Sequence, residues 1–361
     1  MSHILAAKRT AVVPRGGAFA ALSLEDLAAP VIAALLAQVG FDTLQVDEVI
    51  CANALGAGGN PARRIALAAG LPEQVAGLSI DRQCVGGLDA VLLAHAMITS
   101  GQARVVIAGG VESYSRRPVR LATDPNGGPA VPYEQAAFTP WPDRDPDMAD
   151  AADALARRLG IDRAAQDLWA IESHKNAFRA DMTAEIIPVA GQGRDVFARN
   201  LTPLVAARAK CVTGTITAAN AAVAADAAGF VLVVSDTIAK ARGLQIIGGA
   251  TVGADPTEPG LAPVAAIARV MARARLTARD LAVIELMEAY AVQAIACAKG
   301  AGLDHAKINL CGGALARGHP IGASGAILAV RLFYQLQAGY GLAAIAAAGG
   351  LGTALLVSRG L

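Results

Sequence analysis

The sequence predicts an α/β protein of two similar halves packed face to face, and three observations carry that expectation. Strand and helix signals alternate from residue 23 to residue 108 and resume after residue 228, the pattern of a buried sheet covered by helices. Two segments share one plan: CVGGLDAVLLAHAMITSGQARVVIAGGVES from Cys84, and HPIGASGAILAVRLFYQLQAGYGLAAIAAAGGLGT from His319. Each reads as a polar reactive residue, a glycine turn, a helix apolar on nearly every face, a strand and a glycine pair. Helices of that kind are buried ones. The competing reading is a chance likeness between two alanine- and glycine-rich stretches. Finally, 54% of the residues are hydrophobic but only 4% aromatic, and 83 alanines accompany 38 glycines, so the core is built of small side chains.

The elements follow in order. Ser23 with Asp26 forms a capping-box pattern that opens a helix to about Val39. Residues 48–53 read as a buried strand. Asn60 before Pro61 starts a helix to Ala69, with Gly70 as its stop. A short strand over Gly77 to Arg82, a helix over 85–100 and a strand over Arg104 to Ala108 complete the first run. Residues 114–210 hold most of the prolines, both tryptophans and a charge-rich helical stretch from about Met148 to Ala180, with Asp162 as an N-cap; this is an insertion laid over the core. Strands are then expected at Phe230–Ser235, Leu244–Ala250, Leu281–Leu286, Leu342–Ala347 and Thr353–Ser358, with helices at Pro263–Arg275, Ala289–Gly300 and Ala326–Gln337.

The net charge of +1 argues against a broad electrostatic footprint for nucleic acid or an anionic membrane. Apolar runs are broken by Gly, Asp, Arg or His before about 18 residues, which disfavours a membrane span. The opening MSHILAAKRT shows no signal-peptide pattern, and five cysteines without CxxC spacing suit a reduced, cytoplasmic protein without disulfides or zinc. The glycine clusters at 56–60 and 349–352 fit neither a P-loop nor a dinucleotide fingerprint.

Cys84 lies between a strand and a buried helix. There the helix dipole would lower its pKa and favour the thiolate, and turn N–H groups can stabilise an oxyanion. A buried core cysteine is the alternative for Cys84, and the default for Cys51, Cys211 and Cys297, which have no such setting. His319, in ARGHPIGASG, is a general base that pairs naturally with a cysteine nucleophile, or else a loop histidine capping a helix. His95 reads as a satisfied core residue. Glu288 either complements a helix dipole as the first helical residue or orients a catalytic group.

These residues resemble the thiolase family, the acetyl-CoA acetyltransferases and 3-ketoacyl-CoA thiolases, along nearly the whole chain. DRQCVGGLDA at 81–90 is similar to the nucleophile motif, and NLCGGALARGHPIGASGA at 309–326 to the histidine motif. Residues 53–72, 105–118, 147–177 and 214–229 resemble the intervening family segments. The resemblance implies a five-layer α-β-α-β-α fold with a loop domain over coenzyme A. One half would span 1–240, with the insertion at about 114–210, and the other 241–361. It implies a homodimer or homotetramer acting on acyl-CoA, with no permanently bound cofactor and no metal. Cys84 would carry the acyl group, His319 would activate it and help bind a thioester oxygen, and Met148 would flank the acyl group.

The chain departs from the family pattern in four places. Ala346 stands where the family has a second, acid/base cysteine, and Ala348 where it has a glycine, although the Ala348 N–H remains available to an oxyanion. The Asn-Glu-Ala-Phe motif reads Met287-Glu288-Ala289-Tyr290, which removes the asparagine that holds a catalytic water. Ala222 to Asp226 lacks a serine that contacts coenzyme A. Cys311 replaces a common asparagine; it is expected to be structural, the alternative being that it stands in for the missing acid/base from a different backbone position. The resulting expectation is an acyl-CoA acyltransferase that forms an acyl-enzyme on Cys84, with its Claisen or thiolysis step impaired. The alternative is a degenerate thiolase-fold protein that binds acyl-CoA or partners an active subunit without turnover.

Overall fold

The computed structural model describes residues 1–360. Its main elements are β1 (Ser2–Thr10), α1 (Leu24–Val39), β2 (Glu48–Ala52), α2 (Pro61–Ala68), β3 (Ala76–Ile80), α3 (Gly86–Thr99) and β4 (Val105–Glu112). The inserted segment contributes α4 (Met148–Leu159) and α5 (Arg163–Arg179). Then come β5 (Ala225–Ser235), β6 (Leu244–Gly253), α6 (Ala262–Ala274), β7 (Leu281–Leu286), α7 (Ala291–Gly300), α8 (Ile321–Gln335), β8 (Gly339–Ala347) and β9 (Leu351–Arg359).

Local chemistry explains why several of these elements start where they do. The Ser23–Asp26 capping box forms as expected. Asn60 and Asp162 each accept a backbone N–H at the start of their helix. Elsewhere the strands run past the sequence limits. β4 continues to Glu112 and β8 begins at Gly339, because pairing with neighbours extends a strand beyond its apolar run. The His319 helix begins at Ile321 rather than Ala326; glycines disfavour a helix by propensity, but packing overrides it here. The charge-rich stretch is two helices broken at Gly160, which adopts a left-handed conformation. β1 has no counterpart in the sequence expectations, yet it is buried at the centre of the sheet.

The strands follow one path, β7-β8-β9-β6-β1-β5-β4-β2-β3. β3, β2 and β4 are parallel, as are β7 and β8, and the joins between them are antiparallel. The two halves meet where Ser2–Ile4 of β1 pairs with Leu244–Ile246 of β6. Each half ends in a helix followed by an antiparallel strand pair: α3, β4 and β5 in one, α8, β8 and β9 in the other. A single parallel bridge, Ile284 to Ile308, occupies in the second half the place that β3 holds in the first.

The layers follow from the apolar clusters. α3 and α8 share one core with the inner faces of both halves of the sheet, through Leu88, Val91, Leu328, Val106, Val231, Ile345 and Leu355. α1 and α2 cover the outer face of the first half, and α6 and α7 that of the second. This is the five-layer α-β-α-β-α arrangement. Among the described residues no helix is long and apolar enough to cross a membrane.

Candidate active site

α3 and α8 cross where glycines let their backbones meet. A Cβ on Gly87 would lie 2.6 Å from the Ala326 nitrogen, and one on Gly325 2.4 Å from the Leu88 nitrogen. The crossing brings the two helix N-termini together, and with them the residues just before each. Cys84 sits in a 3-10 turn, Gln83–Val85, leading into α3. The turn is sharp: Gln83 has φ 52°, a left-handed backbone that costs a non-glycine residue about 1–3 kcal/mol. Asp89, buried on α3, accepts hydrogen bonds from Arg82, Thr251 and Thr353, and so ties the Cys84 helix to the other half of the sheet.

His319 is held on three sides. Its backbone N–H donates to the Val223 carbonyl (2.8 Å), its Nδ1 lies 2.6 Å from Ser324 Oγ, and its Nε2 lies 3.1 Å from Cys84 Sγ. Ser324 donates its own proton to the Pro320 carbonyl (3.0 Å), so its oxygen is left to accept from His319 Nδ1–H. That assigns the neutral tautomer with the proton on Nδ1 and a free Nε2 lone pair facing the thiol.

Burial controls both pKa values. It pushes the Cys84 thiol up to about 12, partly offset by the backbone N–H groups of Cys84 and Ala348, which point at the sulfur. It also drives the His319 imidazole down to about 4. The helix-dipole expectation of a lowered Cys84 pKa is therefore corrected: removal from water outweighs it, and the resting pair is neutral. The same two N–H groups form a cradle for an oxyanion on a carbonyl bonded to Sγ.

The pair opens into a cavity of about 300 Å³. Met148, Ala346 and Ala348 line it beside Cys84 and His319. Glu288 does not line it. The residue precedes α7 by a two-residue link rather than beginning the helix, and its buried carboxylate accepts from Trp169 Nε1, Ser173 Oγ, Asn309 Nδ2 and the Leu315 N–H. It knots α5 to the turn that leads to His319. Met287 lies in the central core and is also absent from the cavity wall. Cys51 and Cys297 are buried and Cys311 half-buried, but Cys211 is exposed, contrary to expectation. His95 hydrogen-bonds Ser2 Oγ at 2.8 Å.

Sequence patterns did not single out Ser324, Glu112 or Tyr290 as parts of the site. Glu112 is buried at the end of β4, where it accepts N–H bonds from Asn53 Nδ2, Ala54, Leu55 and Gly322, pinning the α8 N-terminus to the loop after β2. Burial lifts its carboxyl to about 7 despite those bonds. Among the described residues no cluster of three or more His, Cys, Asp or Glu side chains could hold a metal ion.

A two-half α/β fold with a cysteine and a histidine meeting at facing helix N-termini defines a class of protein, and comparison with known families gives the family. The description "Thiolase, N-terminal domain" matches residues 2–237, and "Thiolase, C-terminal domain" matches residues 241–359. The chain belongs to the thiolase family. It is 40% identical over 371 residues to "Putative acetyl-CoA C-acetyltransferase YhfS" of Bacillus subtilis (strain 168), covering 98% of each chain. It is 36% identical over 381 residues to "Putative acetyl-CoA C-acetyltransferase VraB" of Staphylococcus aureus (strain MRSA252), covering 99% of this chain and 98% of that one. The crystal structure of the Bacillus anthracis acetyl-CoA acetyltransferase superposes with a TM-score of 0.92 at 30% identity, covering 99% of this chain and 98% of that one.

Proposed function

We propose that the protein is a thiolase-type acyl-CoA acyltransferase that carries its acyl group as a thioester on Cys84. The observation that carries this reading is the 3.1 Å contact between His319 Nε2 and Cys84 Sγ at the base of the cavity, with two backbone N–H groups converging on the same sulfur. As Sγ attacks the carbonyl carbon of an acyl-CoA, its proton passes to Nε2. The carbonyl oxygen takes up negative charge beside the Cys84 and Ala348 N–H groups, and coenzyme A leaves as a thiol with the proton returned by His319. Because the thiol and imidazole are neutral at rest, the proton moves only as the carbon–sulfur bond forms. The names of the relatives support acetyl-CoA as one substrate.

The step after acylation is slow in this reading. The Ala346 methyl cannot move a proton and Met287 cannot hold a water, and a lost acid/base group typically costs about 10² to 10⁴-fold. The same two residues favour the second reading, an acyl-CoA-binding protein without turnover. Intact mass after incubation with acetyl-CoA decides between them. An acetyl adduct that is lost in Cys84→Ala is expected, whereas no adduct with any acyl-CoA across a range of chain lengths overturns the enzyme reading. Exposed Leu121 and Val131, on a hairpin of Arg120–Ala122 and Val131–Tyr133 in the inserted segment, and Val119 just before it support the further proposal of a homo-oligomer.

A further inference from the structure

We infer that the Tyr290 hydroxyl is a hydrogen-bond donor to the thioester oxygen of the coenzyme A fragment that is released or added at Cys84. The inference rests on the acyltransferase reading and adds a residue to it. Tyr290 lines the cavity with Cys84 and His319, and its hydroxyl has no hydrogen-bond partner among the described residues. Its backbone is fixed: it bridges Ala221, and the neighbouring Ala289 carbonyl accepts from the Ala222 N–H at 2.9 Å. The residue is half-buried and lines the cavity. A ligand oxygen entering the cavity would take the place of water at that donor.

The wall also carries Gln83, Tyr114, Gln135, Gln293 and His319, and Tyr290 is a hydroxyl among them that lies close enough to Cys84 to interact with it electrostatically. Ala222, Ala289, Ala346 and Ala347 present methyl groups. The backbone N–H groups of Cys84 and Ala348 are committed to the oxygen on the carbon that Sγ attacks. Cleavage of a 3-oxoacyl-CoA generates a second oxygen anion. Sγ bonds to C3 as its proton passes to His319 Nε2, the C2–C3 bond breaks, its electron pair moves onto the thioester oxygen as an enolate, and that proton is then delivered to C2. The Tyr290 phenol stays neutral throughout. Burial, with the charge of Asp147 nearby, raises its pKa above the ordinary value and keeps its proton in place as a donor.

The two oxygens separate the roles experimentally. Acetyl transfer from acetyl-CoA to Cys84 develops charge only at the backbone cradle, whereas acetoacetyl-CoA cleavage develops it at both. In Tyr290→Phe, acetyl-adduct formation should stay within about threefold of the parent. The kcat for acetoacetyl-CoA cleavage should fall at least about tenfold, with KM little changed; loss of one such donor typically costs about 10² to 10³-fold. In a Cys84→Ala background, acetyl-CoA should bind more tightly than coenzyme A, and Tyr290→Phe should remove that difference. Unchanged cleavage overturns the inference. So does an equal fall in adduct formation and cleavage, which would mean the ring's packing is at work. Absence of any adduct in the parent protein overturns the acyltransferase reading instead, and the acetyl-CoA against coenzyme A comparison then decides on Tyr290 alone.

Discussion

Ser324 decides which way the His319 imidazole faces. Its hydroxyl proton goes to the Pro320 carbonyl, so it can only accept from Nδ1–H, and Nε2 is left as the base toward Cys84. Ser324→Ala should therefore slow acetylation of Cys84 by about tenfold with a smaller effect on melting, measured by stopped mass spectrometry and thermal unfolding; the unpaired Nδ1–H costs about 1–3 kcal/mol. Ala346 is the other informative residue. Ala346→Cys places a thiol on the cavity wall, and thiolysis of acetoacetyl-CoA should rise by about 10²-fold or more in a coupled assay, with acetylation of Cys84 unchanged. Cys84 and His319 were legible in the sequence because each sits in a glycine-flanked turn before an apolar helix. Ser324 was not, because a serine inside such a helix carries no signal until its partner is known. The direction of the Cys84 pKa shift was misread for a similar reason: the dipole is a local property, but desolvation depends on the whole enclosure.

At the scale of elements, the site exists because α3 and α8 touch. A Cβ on Gly87 would meet two backbone atoms, the Ala326 nitrogen at 2.6 Å and the Gly322 oxygen at 2.7 Å. Neither can rotate away, so the helices must separate. Gly87→Ala should lower unfolding free energy by about 1–3 kcal/mol in urea titrations and slow Cys84 acetylation as the thiol and imidazole draw apart. Gly253→Ala, where nothing lies within 4 Å, should change stability by less than about 0.5 kcal/mol. The repeat made both helices and their equivalence legible. The start of α8 was misplaced because Gly322 and Gly325 weigh against a helix by propensity, although the crossing requires them.

At the scale of the whole molecule, a buried ionic network joins the inserted segment to both halves. Arg9 on β1 pairs with Glu185 and Asp195, each at 2.7 Å, and Glu185 also takes Arg331 of α8 at 2.7 Å. Burial alone would raise the Glu185 carboxyl, but Arg9 and Arg331 hold it below its ordinary value. Its contribution to stability is thus present above the unfolded pKa and is lost as pH falls through the lower folded one. Glu185→Gln leaves Arg331 buried without a full partner. It should cost about 3–5 kcal/mol near neutral pH and flatten the acid limb of the stability profile, read by urea unfolding at several pH values.

The sequence by itself determined the α/β class, the two-half plan, the family likeness and the two residues at its centre, because periodicity, caps and short motifs are local. It missed β1, whose Lys8, Arg9 and Thr10 hide a central strand that is buried only because partners lie on both sides. The tertiary structure decided the tautomer of His319, the neutral resting state of Cys84, the withdrawal of Glu288 from the cavity and the exposure of the Tyr290 hydroxyl to it. Each of these depends on which groups distant parts of the chain bring together and on how much water they exclude, which no local pattern of residues records.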